Sequence, residues 1–219
     1  ASCMVACGDA DGAVTGNTRR FGASLEKIKQ VVEARPGEIM FGLNLVVHKG
    51  KTIFVGDTSV HEYPNAEQLS EIAISSARVV RLFGFDPKVA FVSHSTFGQP
   101  LTSRTKHIKE AVEILKKKNV DFEFDGDMQP DVALNDEYKS LYPFSKIVGN
   151  ANILVMPGQH SAAISYKMMK TLGDTKVIGP LLIGLGLPIE IAPLRSSTSE
   201  ILNLASIAAY SADVIDYSK

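Results

Sequence analysis

The sequence predicts a three-layer α/β fold built on a mostly parallel or mixed sheet. Two observations carry this prediction. Short apolar runs of strand length alternate with amphipathic stretches of helical period, and polar or glycine-rich loops follow many of the runs. Residues 153–203 show the full pattern of strand, helix, glycine-rich turn, strand and capped helix. Because open α/β sheets bind ligands at the carboxyl ends of their strands, we expect the functional site mainly in this region.

The first half of the chain is predicted to contain four strands and two helices. A helix over about 23–34 would include Val31 in its buried stripe, and a longer helix would begin at Pro64-Asn65 and end at Gly84. The strands are expected over residues 4–7, 41–47, 52–55 and 89–92, the second and third forming a hairpin.

The second half continues the alternation. Gly173 supplies a helix stop, and Glu200 falls in the first turn of the last helix, where a carboxylate is favourable. The predicted elements are a charged helix over about 102–118, a strand over 122–124, a helix from Pro130, a strand over 153–156, a helix with an apolar stripe from Ala162 to Leu172, strands over 177–179 with 181–183 and over 189–192, and a final helix capped within 196–199.

Composition limits the classes of function. Hydrophobic residues make up 45% and charged residues 21% of the chain, as in ordinary globular proteins, and the net charge is −1. This balance gives no electrostatic argument for binding nucleic acid or an anionic membrane. Cys3 and Cys7 form neither a zinc motif nor a disulfide framework, so we expect a reducing, cytoplasmic setting. The start at Ala1, without a signal peptide or a membrane-spanning run, indicates a segment of a longer protein.

Five loops at the carboxyl ends of predicted strands are the candidate positions for chemistry. Hydroxyl and backbone N–H groups of Ser93, Ser95 and Thr96 could bind a phosphate, although an ordinary Ser/Thr turn explains these residues equally well. For the loop at residues 8–12, simple turn formation is the preferred explanation. The five loops cover residues 8–12, 93–98, 125–129, 157–161 and 194–199.

Several other residues have a structural explanation that we prefer. Asp125 and Asp127 could hold a metal ion, but no histidine or third carboxylate is close in sequence, so turn capping is favoured. His94 and His160 lie in candidate loops without a Ser-His-Asp spacing. The lysines of residues 102–118 mark a solvated helix face, because no aromatic residues interleave with them. Neither GxGxxG nor GxxxxGK[ST] occurs, so no Rossmann or P-loop site is predicted.

Five ordered segments resemble the signature segments of the phosphate acetyltransferase/butyryltransferase family. Within that family, the chain looks like the carboxyl-terminal phosphotransacetylase-like domain of large bacterial NADP-dependent malic enzymes. The segments cover most of the chain and are MVACGDADGAVTGNT, VAFVSHSTFGQ, FEFDGDMQPDVAL, FSKIVGNANILVMPGQHSAAISYKMMKTLG and VIGPLLIGLGLPIEIAPLRSSTSEILNLA.

The resemblance implies the isocitrate dehydrogenase-like fold of phosphotransacetylases, with two α/β domains and a cleft between them. Residues 1–190 would form the second domain, and residues 191–219 would carry the final helix back to the first domain, which this sequence lacks. The present residues would hold no metal or resident cofactor and would bind acetyl-CoA. NADP and a divalent metal would belong to a malic-enzyme region of the same polypeptide.

The resemblance also implies the residues of an acyl-CoA or phosphate cleft. Arg195 would stabilise charge on an acyl phosphate, and Glu200 would help to activate the thiol of coenzyme A. A core position for Tyr166 and a strand bend at Gly179-Pro180 are the structural alternatives. The ligand-binding residues would be Ser93, Ser95, Thr96, Tyr166, Lys167, Gly179, Pro180, Ser196 and Ser197.

The sequence departs from the family where active transferases carry Leu-Ser-Arg-Gly before the final helix. Aligned on Asn203 without gaps, Pro193 occupies the serine position and Leu194 the arginine position. Arg195 then falls one residue late, although a local gap could restore it, and Glu200 stands where the family has an aspartate.

Two functions from different classes are therefore predicted. The first is a regulatory and oligomerising domain of an NADP-dependent malic enzyme, which converts malate to pyruvate by oxidative decarboxylation. Its degraded transferase cleft would still bind acetyl-CoA and shift the activity of the malate-oxidising region. The alternative is an active phosphate acyltransferase that moves an acyl group between coenzyme A and phosphate. A third role, dimer contacts alone, would use the helices at 69–83 or 164–172. We expect at least a homodimer, and neither nucleic acid nor membrane as a partner.

Overall fold

The computed structural model describes residues 1–98 and 102–215, except the side chains of Ser103 and Arg104. No helix within these residues is long and apolar enough to cross a bilayer. The helices are α1 (Ser2–Ala6), α2 (Phe21–Lys29), α3 (Ala66–Leu82), α4 (Ser103–Lys118), α5 (Pro130–Leu134), α6 (Asp136–Lys139), α7 (Gln159–Leu172) and α8 (Thr198–Val214). The strands are β1 (Ala13–Gly16), β2 (Phe41–His48), β3 (Lys51–Gly56), β4 (Lys88–Val92), β5 (Glu123–Met128), β6 (Ile153–Val155), β7 (Thr175–Ile183) and β8 (Ile189–Ala192).

Capping residues fix the starts of the two longest helices. The Asn65 side chain accepts the N–H of Gln68, and the Gln68 side chain accepts the N–H of Asn65, which starts α3. Ser197 and Glu200 exchange the equivalent bonds at the start of α8. The sequence predicts both starts, and both are confirmed.

A six-stranded mixed sheet forms the middle layer, in the order β5-β4-β6-β3-β2-β7. Strands β5, β4, β6 and β3 run parallel, whereas β2 is antiparallel to both β3 and β7. The carboxyl ends of the four parallel strands therefore meet at one edge of the sheet. Strands β1 and β8 pair with each other in a separate parallel sheet.

Helices cover both faces of the six-stranded sheet. On one face, Leu69 and Ile72 of α3 and Ile108 of α4 pack against Phe54 and Phe91 of the strands. A second cluster packs α5 and α7 on the opposite face. The predicted three-layer α/β architecture is confirmed, and the apolar stripe of α3 lies in the core.

The predicted strand over residues 4–7 is wrong. These residues belong largely to helix α1, in which the N–H groups of Val5 and Cys7 donate to the carbonyl oxygens of Ala1 and Cys3. A four-residue apolar run does not distinguish a helix from a strand, and here local hydrogen bonds decide. The first strand is instead β1, so the loop 8–12 follows a helix.

Three further local predictions are corrected. Residues 125–129 are mostly strand β5 rather than loop, because they pair with β4 across a register shift. Helix α2 ends at Lys29, and Val31 is 41% exposed instead of buried. Leu172, at the end of the predicted stripe of α7, is 81% exposed because that helix end lies beyond the sheet-facing core.

Glu190 of β8 is a buried acid. Its Oε2 accepts the N–H of Leu182 in β7 at 2.9 Å, and the residue is 5% exposed. Burial disfavours the charged form and raises the pKa of Glu190 to about 8, although the bond from Leu182 opposes this. Glu190 therefore holds its proton at neutral pH in the folded protein.

We predict that Glu190→Gln flattens the pH dependence of stability on the alkaline side. A folded pKa raised to about 8 stabilises the native state most fully below the ordinary glutamate pKa, and this contribution is lost as pH rises to about 8. The variant should gain on the order of a few kcal/mol over wild type at pH 9 relative to pH 4, measured by urea unfolding. Parallel stability curves for the two proteins would contradict this assignment.

Candidate functional site

Asp57 organises the loop that follows β3. It is fully buried, and its Oδ1 accepts the N–H groups of Gly42, Ser59 and Val60 at 2.9, 2.8 and 3.1 Å. Its Oδ2 accepts the backbone N–H and the Nδ1–H of His61 at 2.6 and 2.8 Å. These converging donors fix the loop on the carboxyl edge of the sheet.

The same loop positions the start of α7. The carbonyl oxygen of His61 accepts the N–H of Gln159 at 3.0 Å. A Cβ atom on Gly158 would lie 2.4 Å from the carbonyl oxygen of Glu62. Only glycine allows the helix to begin this close to the loop.

A cavity of about 170 Å³, which we call the serine cavity, lies at the amino end of α7. Tyr63 stacks on His160 with ring centroids 6.0 Å apart, and His160 Nε2 lies 2.9 Å from Glu62 Oε1. The positive dipole end of a helix suits an anion, but the N–H of Gln159 is already donated to His61 O and Glu62 adds a carboxylate to the lining. The cavity is lined by Glu62, Tyr63, Ser93, His94, Ile108, Pro157, Gly158, His160 and Ser161.

The three predicted hydroxyl residues after β4 have different further partners, although Ser93 Oγ and Ser95 Oγ lie within hydrogen-bond distance of each other at 3.3 Å. Ser93 lines the serine cavity. Ser95 is fully buried and donates to Asp127, whereas Thr96 Oγ1 accepts the N–H of Gln129 at 3.2 Å. Ser95 and Thr96 thus tie the ends of β4 and β5 together, which leaves Ser93 as the hydroxyl of the three that faces a cavity.

A larger cavity of about 400 Å³, which we call the cleft cavity, gathers three predicted residues, Tyr166, Lys167 and Pro180. Arg20 and Lys167 give it positive charge, and none of its lining residues carries a carboxylate. Burial raises the pKa of Tyr166, so the phenol stays protonated and can donate a hydrogen bond. The lining consists of Arg20, Phe21, Gly22, Thr58, Ser59, Gln159, Ala163, Tyr166, Lys167, Pro180, Pro193 and Leu194.

Gly179 allows β2 and β7 to approach closely beside this cavity. Its φ is +118°, and a Cβ atom would lie 2.9 Å from both Leu43 O and Leu181 N. Gly179 is joined to Pro180 by a cis peptide bond, and the Pro180 ring lines the cleft cavity. The bend that the sequence suggests therefore serves to present Pro180.

Arg195 lies next to the cleft cavity but is not among its lining residues. Its backbone is left-handed, with φ +64°, and its N–H donates to Asn17 O at 3.1 Å while its side chain is exposed. Pro193 and Leu194 form the wall instead. The cavity wall therefore carries an aliphatic side chain at the position where the ungapped alignment places the family arginine.

Glu200 is held by its neighbours. Its Oε1 accepts a hydrogen bond from Lys170 at 2.6 Å, and its Oε2 accepts the N–H and hydroxyl of Ser197 at 2.8 and 2.9 Å. Lys170 first, and the Ser197 amide second, lower the pKa of Glu200 to about 2. This carboxylate is a weak proton acceptor. Ser196 donates its hydroxyl to Pro193 O at 2.9 Å and so shapes the turn before α8.

Sequence reasoning missed Arg20, Thr58 and Ser59 as cavity residues. A signal existed for the last two, because they follow the carboxyl end of β3. The sequence predicts β3 only as the second strand of a hairpin, so its carboxyl end is not counted among the candidate loops. In the structure β3 also pairs in parallel with β6, which puts that end at the functional edge of the sheet. The described residues contain no group of three or more His, Cys, Asp or Glu side chains that could hold a metal ion.

Comparisons with known proteins agree on one family. The family model described as phosphate acetyl/butaryl transferase matches residues 1–209. The NADP-dependent malic enzyme of Rhizobium meliloti is 46% identical over 212 residues, which cover 97% of this chain and 28% of that enzyme. The phosphate acetyltransferase of Clostridium acetobutylicum is 33% identical and is matched over 94% of this chain and 64% of its own length.

Solved structures give the same relationship. A phosphotransacetylase from Streptococcus pyogenes superposes with a TM-score of 0.89 at 31% identity, over 97% of this chain and 66% of that one. The EutD phosphotransacetylase from Staphylococcus aureus gives a TM-score of 0.85 at 28% identity, with coverage of 96% and 66%. The chain thus spans about a quarter of the length of the malic enzymes and about two thirds of the phosphotransacetylases that it matches.

We predict that Lys170→Gln raises the pKa of Glu200 above about 2, because the hydrogen bond from Lys170 is the main cause of the lowering. The value should stay below that of an ordinary glutamate, since the Ser197 amide bond remains. A carbon-13 NMR titration of the side-chain carboxyl would measure the change. Lys117→Gln, an exposed lysine on α4, is the control and should leave the titration unchanged.

Proposed function

Because this chain belongs to the phosphate acetyl/butaryl transferase family, we propose that it is the phosphotransacetylase-like domain of an NADP-dependent malic enzyme. We infer that its cleft binds acetyl-CoA as a regulatory ligand and does not transfer the acyl group. The observation that carries this proposal is the wall of the cleft cavity, which presents Leu194 where a transferase would need an arginine.

Sequence similarity favours the malic-enzyme context. Identity to the Rhizobium meliloti NADP-dependent malic enzyme is 46%, against 33% to the Clostridium acetobutylicum phosphate acetyltransferase. The oxidation of malate, together with NADP and a divalent metal, would then belong to another region of the polypeptide. Regulation requires that acetyl-CoA binds two states of the whole enzyme with different affinity.

The positive charge of the cleft cavity supports a ligand that carries phosphate groups, such as an acyl-CoA. Arg20 and Lys167 line it, Tyr166 can donate a hydrogen bond, and the hydroxyls of Thr58 and Ser59 add further polar contacts. The serine cavity lies at the amino end of α7, where the helix dipole favours an anion and the Glu62 carboxylate opposes one. A coenzyme A thioester offers phosphates for the charged part and a thioester for the polar wall.

The same residues argue against efficient acyl transfer. Leu194 cannot stabilise the negative charge of a transition state, and Arg195 is exposed and is not among the residues that line the cleft cavity. Glu200, with a pKa of about 2, is a poor base for the thiol of coenzyme A. An active phosphate acyltransferase remains the alternative, in which rearrangement of the turn before α8 would bring Arg195 into the cleft.

We predict that the chain binds acetyl-CoA without converting it to acetyl phosphate. Isothermal titration calorimetry should show saturable binding, and an acetyl-phosphate assay should show no turnover above the blank. The same pair of measurements on the longer protein should show tighter binding if the remaining regions complete the site. Turnover that disappears in Arg195→Ala would contradict the regulatory proposal and support the transferase.

Charge-removing variants test whether binding occurs at this cleft. Arg20→Gln and Lys167→Gln should each weaken acetyl-CoA binding by about two- to fivefold, as expected for partly exposed charge pairs. Lys117→Gln on α4, which is exposed and distant from the cleft cavity, should bind like the unmodified chain. Equal affinity in all variants would place the ligand elsewhere.

We also propose that copies of the chain associate through the outer face of α7. Ile164, Met168 and Leu172 recur every four residues on this helix and are 58%, 54% and 81% exposed. The other predicted contact helix, α3, has its apolar stripe in the core, so few of its apolar side chains are exposed to a partner.

Exposed Leu202 and Tyr210 on α8 support a separate proposal, that residues 191–219 pack against a first domain outside this sequence.

We predict that Ile164→Asp combined with Met168→Asp converts the homo-oligomer to a monomer, because two charges would replace apolar contact area. Size-exclusion chromatography with light scattering measures the mass directly. Leu141→Asp, which changes an equally exposed apolar residue away from α7, is the matched control and should keep the wild-type mass. An unchanged mass in the double variant would exclude this face as the interface.

A further inference from the structure

The largest cavity described lies at the opposite end of the sheet from the proposed cleft. It has a volume of about 570 Å³, within the range of small-molecule sites, and we call it the hairpin cavity. It opens between the β2–β3 turn, the residues before β6 and the carboxyl end of α7. Strand β3 separates the two sites, since Lys51 begins it at the hairpin cavity and Thr58 follows its other end in the cleft cavity.

The floor of the hairpin cavity is apolar. Val46, Ile53, Leu134, Ala151 and Met169 line it, and these side chains belong to the cluster between the sheet and α7. A ligand that covers this floor would gain binding free energy of roughly 25 cal/mol for each Å² of apolar surface removed from water. The floor therefore suits an aliphatic or aromatic body.

The rim carries polar groups that the fold leaves uncommitted. Within the part of the chain that the structure describes, the Lys51 ammonium has no carboxylate partner and Asn150 Nδ2 donates no hydrogen bond, while Asn150 Oδ1 is buried without a donor. His48 Nδ1 lies 3.2 Å from Asp174 O and 2.9 Å from Thr175 Oγ1. Because a carbonyl oxygen only accepts, Nδ1 carries the hydrogen, and Nε2 is left without a partner.

Lys51 is the charged residue of this rim. The other lining residues include no aspartate or glutamate. Asn152, by contrast with Asn150, has its amide fully used by bonds to Lys88 N and Asp86 O, so it serves the fold. The cavity thus combines an apolar floor with a rim that can donate hydrogen bonds to an anion.

We propose that the hairpin cavity is a second ligand site, and that its ligand is a small amphipathic carboxylate with an aliphatic or aromatic body. The body covers the apolar floor, and the carboxylate accepts hydrogen bonds from the Lys51 ammonium and from Asn150 Nδ2. This site goes beyond the proposed cleft and does not depend on acetyl-CoA binding there. Helix α7 spans both sites, since Lys167 lines the cleft cavity and Met169 lines the hairpin cavity.

Methyl NMR of the methionines provides a local test on the full 219-residue chain. Octanoate is the probe, with octan-1-ol as the neutral control and octylamine as the cationic control. We expect octanoate to shift the Met169 methyl signal saturably and to bind more tightly than octan-1-ol, whereas octylamine should bind least. Met4, exposed on α1 and away from the proposed α7 interface, reports non-specific adsorption and should not follow the same curve.

Two matched variants distinguish recognition of the carboxylate from non-specific hydrophobic binding of the probe. Lys51→Gln should weaken octanoate binding by about two- to fivefold and leave octan-1-ol unchanged, as expected for an exposed charge pair. Lys49→Gln, an exposed lysine in the same turn that does not line the cavity, should change neither affinity.

Three results would overturn the proposal. The first is the absence of a saturable Met169 shift with octanoate. The second is equal affinity for octanoate and octan-1-ol with no effect of Lys51→Gln, which would leave only an apolar groove. The third is a Met169 shift that depends on protein concentration without probe, which would mean that a second copy fills the cavity. None of these measurements involves acetyl-CoA, so their outcome tests the hairpin cavity separately from the proposed acetyl-CoA site in the cleft.

Discussion

One buried carboxylate holds the functional edge of this fold together. Asp57 gathers the backbone of the loop after β3, and His61 of that loop accepts the first N–H of α7. Helix α7 in turn supplies Gln159, Tyr166 and Lys167 to the cavities at the carboxyl edge of the sheet. Buried polar groups of this kind are costly when unsatisfied and specify a unique arrangement when satisfied. The geometry of the whole site therefore depends on a residue that lines neither cavity.

The cleft combines features that suit binding with features that disfavour catalysis. A cationic wall without carboxylates attracts an anion, whereas an aliphatic Leu194 and a fully engaged Glu200 leave few groups free for the chemical step. Catalysis requires groups that stabilise the transition state more than the ground state. A cleft can therefore lose turnover through a few substitutions and still keep affinity. The proposed regulatory role rests on this asymmetry.

The layers of the fold were predictable from sequence because they depend on local periodicity, as in α3 and the β2–β3 hairpin. Strand β1 was not, since its pairing with the distant β8 decides its conformation. In the site, Ser93 and Ser95 have the same chemistry two residues apart, yet one faces a cavity and the other donates to Asp127. Only the directions of the side chains separate these roles. Leu194, which its spacing from Asn203 puts at the arginine position of the family, lines the cleft cavity.

The burial of Glu190 has a consequence for aggregation. Strand β7 is the last strand of the six-stranded sheet in the described residues, and such an edge can recruit a strand from another molecule. Pro180 has no N–H to offer there, and the N–H of Leu182 is already donated to Glu190. Two positions of the edge are therefore closed to intermolecular pairing. The protonated acid occupies a donor that a neighbouring strand would otherwise use.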